Sequence, residues 1–548
     1  MLGDGEPPDG ELLRNRRASE RSLVRDREAS HRQVAEGEPS DGVAPDGEAT
    51  ESDGSESEPA EGKAAEGDAA KGKKDAEGDV SNRDPPSRDS PFPNAVIHPA
   101  HRHVDEREPQ KLESRSVTHQ DLFFPGDFLH YLELGPFMEP RFALVTAGHL
   151  STCPRMLKAA DALAEEGYEV SVVSTSSTPW AVEADLDVLR RRPGRWRSIV
   201  VDYSQSRGPL LYAKSGLRRR AARALASRTR DVSFPLATRA FARVHDELVS
   251  AALGASADFF YGGTTGGIAA AFEAARRAGR PYALDLEDFF TGEPPEGSLD
   301  QKLAERIERE ILPGARFLTA SSGPIADAYA AKYEVAVETI HNVFPLPDRP
   351  PELELRPEGP LRLYWFSQTV GPGRGIEDAI AAVGVSGIEA ELHLRGMLEE
   401  SYHENLQRLA IEKAPRAVLV LHPPAAPDEM TSLASAHDVG LSLEQGGSLN
   451  NRLAFGNKVL TYLLAGLAVA MTDTPGQRPL REELSGHALV VAPGDVKALA
   501  KGFRRFGEDR RYLRECRITS WKAARSRWHW EHAEEKGKLL RLVEAAIR

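Results

Sequence analysis

Short apolar runs alternate with helical stretches twice over, and this pattern constrains the fold of the 548-residue chain more than anything else in it. In the first half FALVTA (Phe142–Ala147), EVSVVS (Glu169–Ser174), SIVVDY (Ser198–Tyr203), DFFYG (Asp258–Gly262), YALDL (Tyr282–Leu286) and RFLTA (Arg316–Ala320) read as strands. Helical periodicity fills several intervals, as in Arg155–Glu166 and Gly267–Arg277. In the second half the strands are LRLYWF (Leu361–Phe366), AELHL (Ala390–Leu394), AVLVL (Ala417–Leu421), VGLSL (Val439–Leu443), AVAMT (Ala468–Thr472) and ALVVA (Ala488–Ala492). Near-continuous apolar strands separated by helices require parallel sheets covered on both faces. The proline-rich stretch Asn342–Pro360 divides the two halves and reads as a linker. The predicted class is α/β, with two doubly wound, Rossmann-like domains facing a cleft.

Charge sets the first 120 residues apart. Residues 1–100 carry 24 acidic against 13 basic side chains, a net −11 of the chain's −14, leaving −3 for the other 448. Ala-Glu-Gly recurs at Ala35, Ala60, Ala65 and Ala76, and Phe92 is the first aromatic residue. Such a segment buries too little apolar area to offset its ordering entropy, so 1–120 is expected to be a disordered acidic tail. No apolar stretch follows a basic start, so no signal peptide is expected. The longest apolar run, near Val459–Met471, is too short to span a bilayer. Cys153 and Cys516 are the only cysteines, which argues against a disulfide framework or a cysteine zinc site and suits a reducing cytoplasm.

Leu363–Val383 carries the first chemical signal. An apolar strand ends at Phe366, a helix starts at Ile376, and Gly371, Gly373 and Gly375 bracket Arg374 between them. Backbone N–H groups, the helix dipole and a guanidinium can converge there on phosphate, although an ordinary strand-to-helix turn would look the same. Further on, Phe455-Gly456-Asn457-Lys458 precedes an apolar helix, Val459–Ala465, ended by Gly466. A lysine in the first turn of a helix opposes the dipole, so Lys458 calls for an anionic partner.

In order, RFALVTAGHLSTCPRMLKAADALAEEGYEVSVVS, ALDLEDFFTGE (Ala283–Glu293), TASSGPIADAYAAKYEVAVETIHNVFP (Thr319–Pro345), the Arg374 turn, NNRLAFGNKVLTYLLAGLAVAMTDTPGQ (Asn450–Gln477) and ALVVAPGDVKALA (Ala488–Ala500) resemble GT-B glycosyltransferases. The resemblance is to the large group that includes glycogen and sucrose synthases and bacterial mannosyltransferases, and it covers roughly residues 140–548. It implies an N-terminal acceptor domain (121–345), a C-terminal donor domain (346–525) and a last helix (526–548) packing back towards the N-domain. It also implies a nucleotide-diphosphate sugar as donor substrate, with no separate cofactor. The donor-binding set is then Arg374, Gly373, Gly375, Gly456, Asn457, Lys458, Thr461 and, bordering the nucleoside, Arg395. Such transfer needs a positioning cleft and positive groups for the leaving diphosphate.

Two departures matter. The family often carries two glutamates in its C-domain that face the sugar and the donor ribose; Leu453 and Thr461 stand at those places. Leucine accepts no hydrogen bond, and threonine is short and neutral. Gln368 and Thr369 stand where the family often has another arginine. Glu444, Asn450, Asn451 and Arg452 are available to replace the lost contacts, in no evident order. A non-catalytic GT-B-like protein that binds a nucleotide sugar or glycan therefore stays open as the alternative. A Rossmann dehydrogenase is disfavoured, because AGHLSTC replaces the Gly-x-Gly-x-x-Gly turn after the first strand.

In the N-domain, His149–Arg155 follows the first strand and is expected to line the cleft. Acceptor-binding candidates are His149, Arg155 and Glu293; catalytic candidates are Glu287, Asp288 and His149. A histidine in such a loop is at least as often structural, and the three carboxylates pair equally well with nearby arginines. Arg155, opening a helix, needs either an anionic ligand or an acidic neighbour. The acidic residues lack metal-ligand spacing and no metal is assigned. Lys214–Arg230, followed by Arg239 and Arg243, reads either as a solvated basic helix or as one meeting anionic lipid. Nucleic acid is not expected. Ser526–Ile547 reads as one amphipathic helix. The expected activity is sugar transfer to a glycan or lipid-linked acceptor, of the retaining kind by resemblance, in surface polysaccharide or glycolipid assembly. The expected location is the cytoplasm, with peripheral contact at the inner face of the membrane.

Overall fold

The computed structural model describes residues 140–354 and 358–548; the acidic tail, 1–120, lies outside them. The first sheet comprises β1 (Phe142–Thr146), β2 (Val170–Ser176), β3 (Arg197–Asp202), β4 (Phe259–Gly263), β5 (Tyr282–Leu286), β6 (Leu318–Ala320) and β7 (Glu338–Thr339). Its strands are parallel, in the order β3-β2-β1-β4-β5-β6-β7. The second comprises β8 (Leu361–Val370), β9 (Ala390–Leu398), β10 (Ala417–His422), β11 (Val439–Ser442), β12 (Ala468–Thr472) and β13 (Leu489–Val491). It repeats the winding, again all parallel, as β10-β9-β8-β11-β12-β13. Each sheet reverses its winding beside its first strand, between β1 and β4 and between β8 and β11. In doubly wound sheets the carboxyl ends of the strands open a crevice at that point. The two Rossmann-like domains form a cleft.

Three elements differ from those expected. The β8 strand does not stop at Phe366; it runs through Gln368 and Thr369 to Val370, with an irregular register against β9 between Phe366 and Thr369. The two-residue β7 is polar and lies at the sheet edge, without an apolar run to announce it. The expected single helix over Ser526–Ile547 is broken. One helix covers Arg510–Ser526, the chain turns through 527–535, and a second helix covers Lys536–Ile547. Residues two apart on a helix do not share a face, yet Trp528 and Trp530 are both buried. The turn is held by Glu535, fully buried, which accepts from His341 N and Arg527 Nη1, each at 2.6 Å.

One apolar cluster joins the two domains, uniting Phe142, Met156 and Tyr261 of the first with Val459, Leu460 and Tyr462 of the second through Trp521, Trp528, Trp530 and Leu539. The last helix rests on the helix Pro154–Glu165. It buries Leu539 and Val543, each contributing about 1.5–3 kcal/mol. The partly exposed pair Lys536–Glu165, at 2.5 Å, adds about 0–1 kcal/mol. Apolar burial, not the ion pair, fixes the helix in place.

Beneath this seam lies Lys158, its Nζ donating to Asn342 Oδ1 at 2.8 Å and to the Val343 carbonyl, and 4.8 Å from the centre of the Phe344 ring. Burial, reinforced by the nearby Arg155 charge, lowers its pKa to about 7. Between pH 7 and the ordinary lysine value near 10.5 the unfolded chain holds a proton that the folded chain has lost, so stability rises with pH across that window. Lys158→Met should remove this component. Denaturation from pH 7 to 10 should show wild-type stability rising relative to the variant, and parallel curves would contradict the assignment.

Candidate functional site

At the reversal point of the second sheet, the loop after β8 closes on the end of β11. Gly373 and Gly375 have φ of 71° and 76°, the left-handed region. A Cβ on Gly375 would collide with the Leu443 carbonyl oxygen, so the loop is pressed against β11 where only glycine fits. Arg374 is exposed between them. From the other side, Gly456, which has no side chain to cap with, precedes the helix Asn457–Leu464. Lys458 Nζ lies 2.8 Å from Glu444 Oε1 and 5.7 Å from the centre of the Trp365 ring. The Lys458 charge first, with its hydrogen bond and the charge of Arg374, holds the Glu444 carboxyl below the usual carboxylate range despite burial. Lys458 thus pairs with a half-buried carboxylate that also feels the Arg374 charge, and the anionic partner demanded by Lys458 is Glu444.

The remaining donor-side residues are placed as follows. Asn457 is exposed at the start of its helix. Thr461 is buried, and its hydroxyl donates to the Asn457 carbonyl of the same helix at 3.3 Å. Leu453 packs against the first domain's core, its carbonyl accepting from Ser322 Oγ at 2.8 Å. Arg395 is buried rather than open at the loop after β9: Nε donates to the Tyr364 hydroxyl at 3.0 Å and Nη1 to the Pro423 carbonyl at 2.8 Å.

The first domain contributes an acidic loop after β5. Burial, then the neighbouring Asp288 charge, pushes the Glu287 carboxyl up to about 8, and Asp288 is raised by its own burial. Both carboxyls are thereby biased towards their protonated forms. The loop is clamped from the second domain by the short helix Leu449–Leu453. Asn450 Nδ2 donates to Asp288 Oδ1 and Glu293 Oε2, both at 3.0 Å, while Phe289 N donates to Asn450 Oδ1 at 2.8 Å. Ser448 Oγ donates to Glu293 Oε2 at 3.0 Å. Glu293 is thus tied to the interdomain contact.

Two N-domain candidates are turned inward. Of the two partners open to Arg155, the structure supplies the acidic neighbour: the guanidinium forks onto Asp285 at 2.7 and 2.5 Å and donates to the Ile340 carbonyl at 2.6 Å, fully inside the protein. His149 does not line the cleft. It is 6% exposed, with Nδ1 2.7 Å from Asp185 Oδ2 and Nε2 3.0 Å from both Ser177 N and Thr178 N. Two N–H donors aimed at Nε2 require its lone pair, so the hydrogen sits on Nδ1. With both nitrogens engaged, this imidazole pins its loop to the helix Pro179–Arg190.

A family model described as a glycosyl transferase 4-like domain matches residues 154–343. No curated protein matches the chain. Among solved structures, Anabaena HepE in complex with UDP and glucose is 14% identical, with a TM-score of 0.53, over 75% of this chain and 99% of that one. The sucrose-phosphate synthase of Thermosynechococcus elongatus is 16% identical, with a TM-score of 0.53, over 74% and 100%. The chain has the GT-B fold. Within its first domain, residues 154–343 are similar to the glycosyl transferase 4-like family.

Glu444 and Asn450, which sequence reasoning left unranked, are central to this geometry. A usable signal for Glu444 was the first-turn lysine itself, which required a nearby anion.

Proposed function

We propose that this protein transfers a sugar from a nucleotide-diphosphate sugar to a glycan or lipid-linked acceptor, with retention of configuration, in surface polysaccharide or glycolipid assembly. The observation that carries the reading is the Lys458–Glu444 pair, with the Arg374 charge acting on the same carboxylate, at the reversal point of the second sheet. A diphosphate there would meet the N–H groups of the helix beginning at Asn457, the Arg374 guanidinium and the Lys458 ammonium. These groups would stabilise the negative charge that grows on the leaving diphosphate as the glycosidic bond breaks. Lys458 would exchange its contact with Glu444 for the phosphate. Across the cleft, Glu287 and Asp288 would face the reacting sugar or acceptor hydroxyl, where their raised pKa suits proton transfer. Anabaena HepE, whose structures hold UDP and UDP-glucose on a similar fold, supports a nucleotide sugar as the donor class.

Incubation with a panel of UDP-, GDP- and ADP-sugars should release nucleoside diphosphate with one base, faster when an acceptor is present. Glu287→Gln should slow release without abolishing donor binding. Donor binding with no turnover on glycan or lipid acceptors would favour the binding-protein reading, which the absence of carboxylates at Leu453 and Thr461 motivates.

The basic helix, Pro209–Arg228, supports work at a cytoplasmic membrane face. Arg218 is turned inward onto Glu247 and the Arg243 carbonyl, Arg219 onto the Ala240 carbonyl, and Arg223 onto Asp300. The outward face instead carries Lys214, Arg220 and Arg228 together with Leu210, Leu217 and Leu225, which are 86%, 69% and 57% exposed. Exposed leucines beside cations suit an interfacial helix better than a merely solvated one. No helix among the described residues is long and apolar enough to cross a membrane. The protein should sediment with anionic vesicles, less so in high salt. Leu210→Ser/Leu217→Ser/Leu225→Ser should release it, and equal recovery with neutral vesicles would contradict the charge component.

A further inference from the structure

Strand alternation places Leu392 and Leu394 of β9 in the second domain's core and turns His393, between them, to the opposite face. There His393 meets His422, which ends β10, and His437, just ahead of β11. His393 Nδ1 is 2.9 Å from His422 Nε2, and one ring nitrogen of each of the three lies within 4.8 Å of the others. The opposite nitrogens have partners that only accept. His393 Nε2 is 3.2 Å from Glu391 Oε2, and His437 Nδ1 is 3.0 Å from the Ala434 carbonyl. Those nitrogens therefore carry the hydrogens, leaving lone pairs on His393 Nδ1 and His437 Nε2. A carboxylate or carbonyl behind an imidazole is the arrangement that orients metal-bound histidines.

We propose that His393, His422 and His437 form a binding site for a divalent first-row transition metal, with zinc the ion best suited to three imidazoles. Two nitrogens bound to one zinc at about 2.0–2.1 Å lie about 3.3 Å apart in tetrahedral geometry, so the 2.9 Å pair needs to open only slightly. His422 exchanges the hydrogen it shares with His393 for the metal by shifting to its other tautomer. The charges around the site are accommodated: Arg362 pairs with Glu391 at 3.2 Å, and Arg395 is held by the Tyr364 hydroxyl and the Pro423 carbonyl. The fourth position falls to water. Bound there, the ion would clip the edge strand β10 to β9 and to the turn before β11, independently of the diphosphate site.

The test is calorimetric titration of the chelator-treated full chain with zinc, and visible absorption of the same chain with cobalt(II). One equivalent should bind, raise the melting temperature by mass action and give the intense spectrum of tetrahedral cobalt. His393→Gln and His437→Ala should each weaken binding at least about tenfold, as losses around metal sites do, whereas His403→Ala should not. The metal-free variants should still melt cooperatively. Absence of saturable binding to the wild-type chain at micromolar zinc would overturn the proposal whatever the variants do. Undiminished binding in both folded variants would overturn it equally.

Discussion

Asp285→Ala should destabilise the protein by about 3–5 kcal/mol, because removing one member of a buried ion pair leaves the other charged and unpaired in the interior. Arg155 and Asp285 have side chains only 6% and 3% exposed, and the fork between them is closed by Thr319 Oγ1 donating to Asp285 Oδ1 at 2.7 Å. Arg155→Met should cost a similar amount, since Asp285 then keeps only the threonine. The double variant Arg155→Met/Asp285→Leu should recover much of the loss, because two apolar side chains of similar size replace the pair without stranding a charge. Urea denaturation at neutral pH measures all three. Single-variant losses below about 1 kcal/mol, the range of exposed pairs, would show that the fork is solvated and that Arg155 is available to a ligand.

This buried fork marks the limit of what the sequence disclosed. The strands were legible because each central one is a short apolar run, and the two parallel sheets followed from the alternation with helices. The glycine turn at Arg374 was legible because positive φ leaves few alternatives at Gly373 and Gly375. Contacts made across long sequence separations were not. Asp285 lies 130 residues from Arg155, and Asn450 lies 162 from Asp288. No local period distinguishes an arginine aimed at a ligand from one aimed at a buried aspartate. His149 stayed ambiguous for the same reason: its loop position fitted both a cleft residue and a structural one, and only the fold shows that Asp185 and two backbone amides of a neighbouring segment hold the ring. The C-terminal break was hidden because Leu539, Leu540, Leu542 and Val543 keep helical spacing up to the turn fixed by Glu535 and His341, 194 residues apart.

The proposed donor site rests on Lys458, paired with Glu444, and on the exposed Arg374 beside it, and isothermal titration with nucleoside diphosphates on folded variants tests it most directly. Arg374→Ala and Lys458→Ala should each weaken binding by about 1.5–3 kcal/mol, the usual worth of a hydrogen bond to a charged group. The two losses should not simply add, since both groups would grip one ligand. Thr461→Ala should change little, its hydroxyl being committed to the Asn457 carbonyl at 3.3 Å. Glu444→Gln should tighten binding, because the phosphate then no longer competes with a carboxylate for Lys458. Unchanged affinity in both Arg374→Ala and Lys458→Ala would contradict the account, whatever Glu444→Gln does.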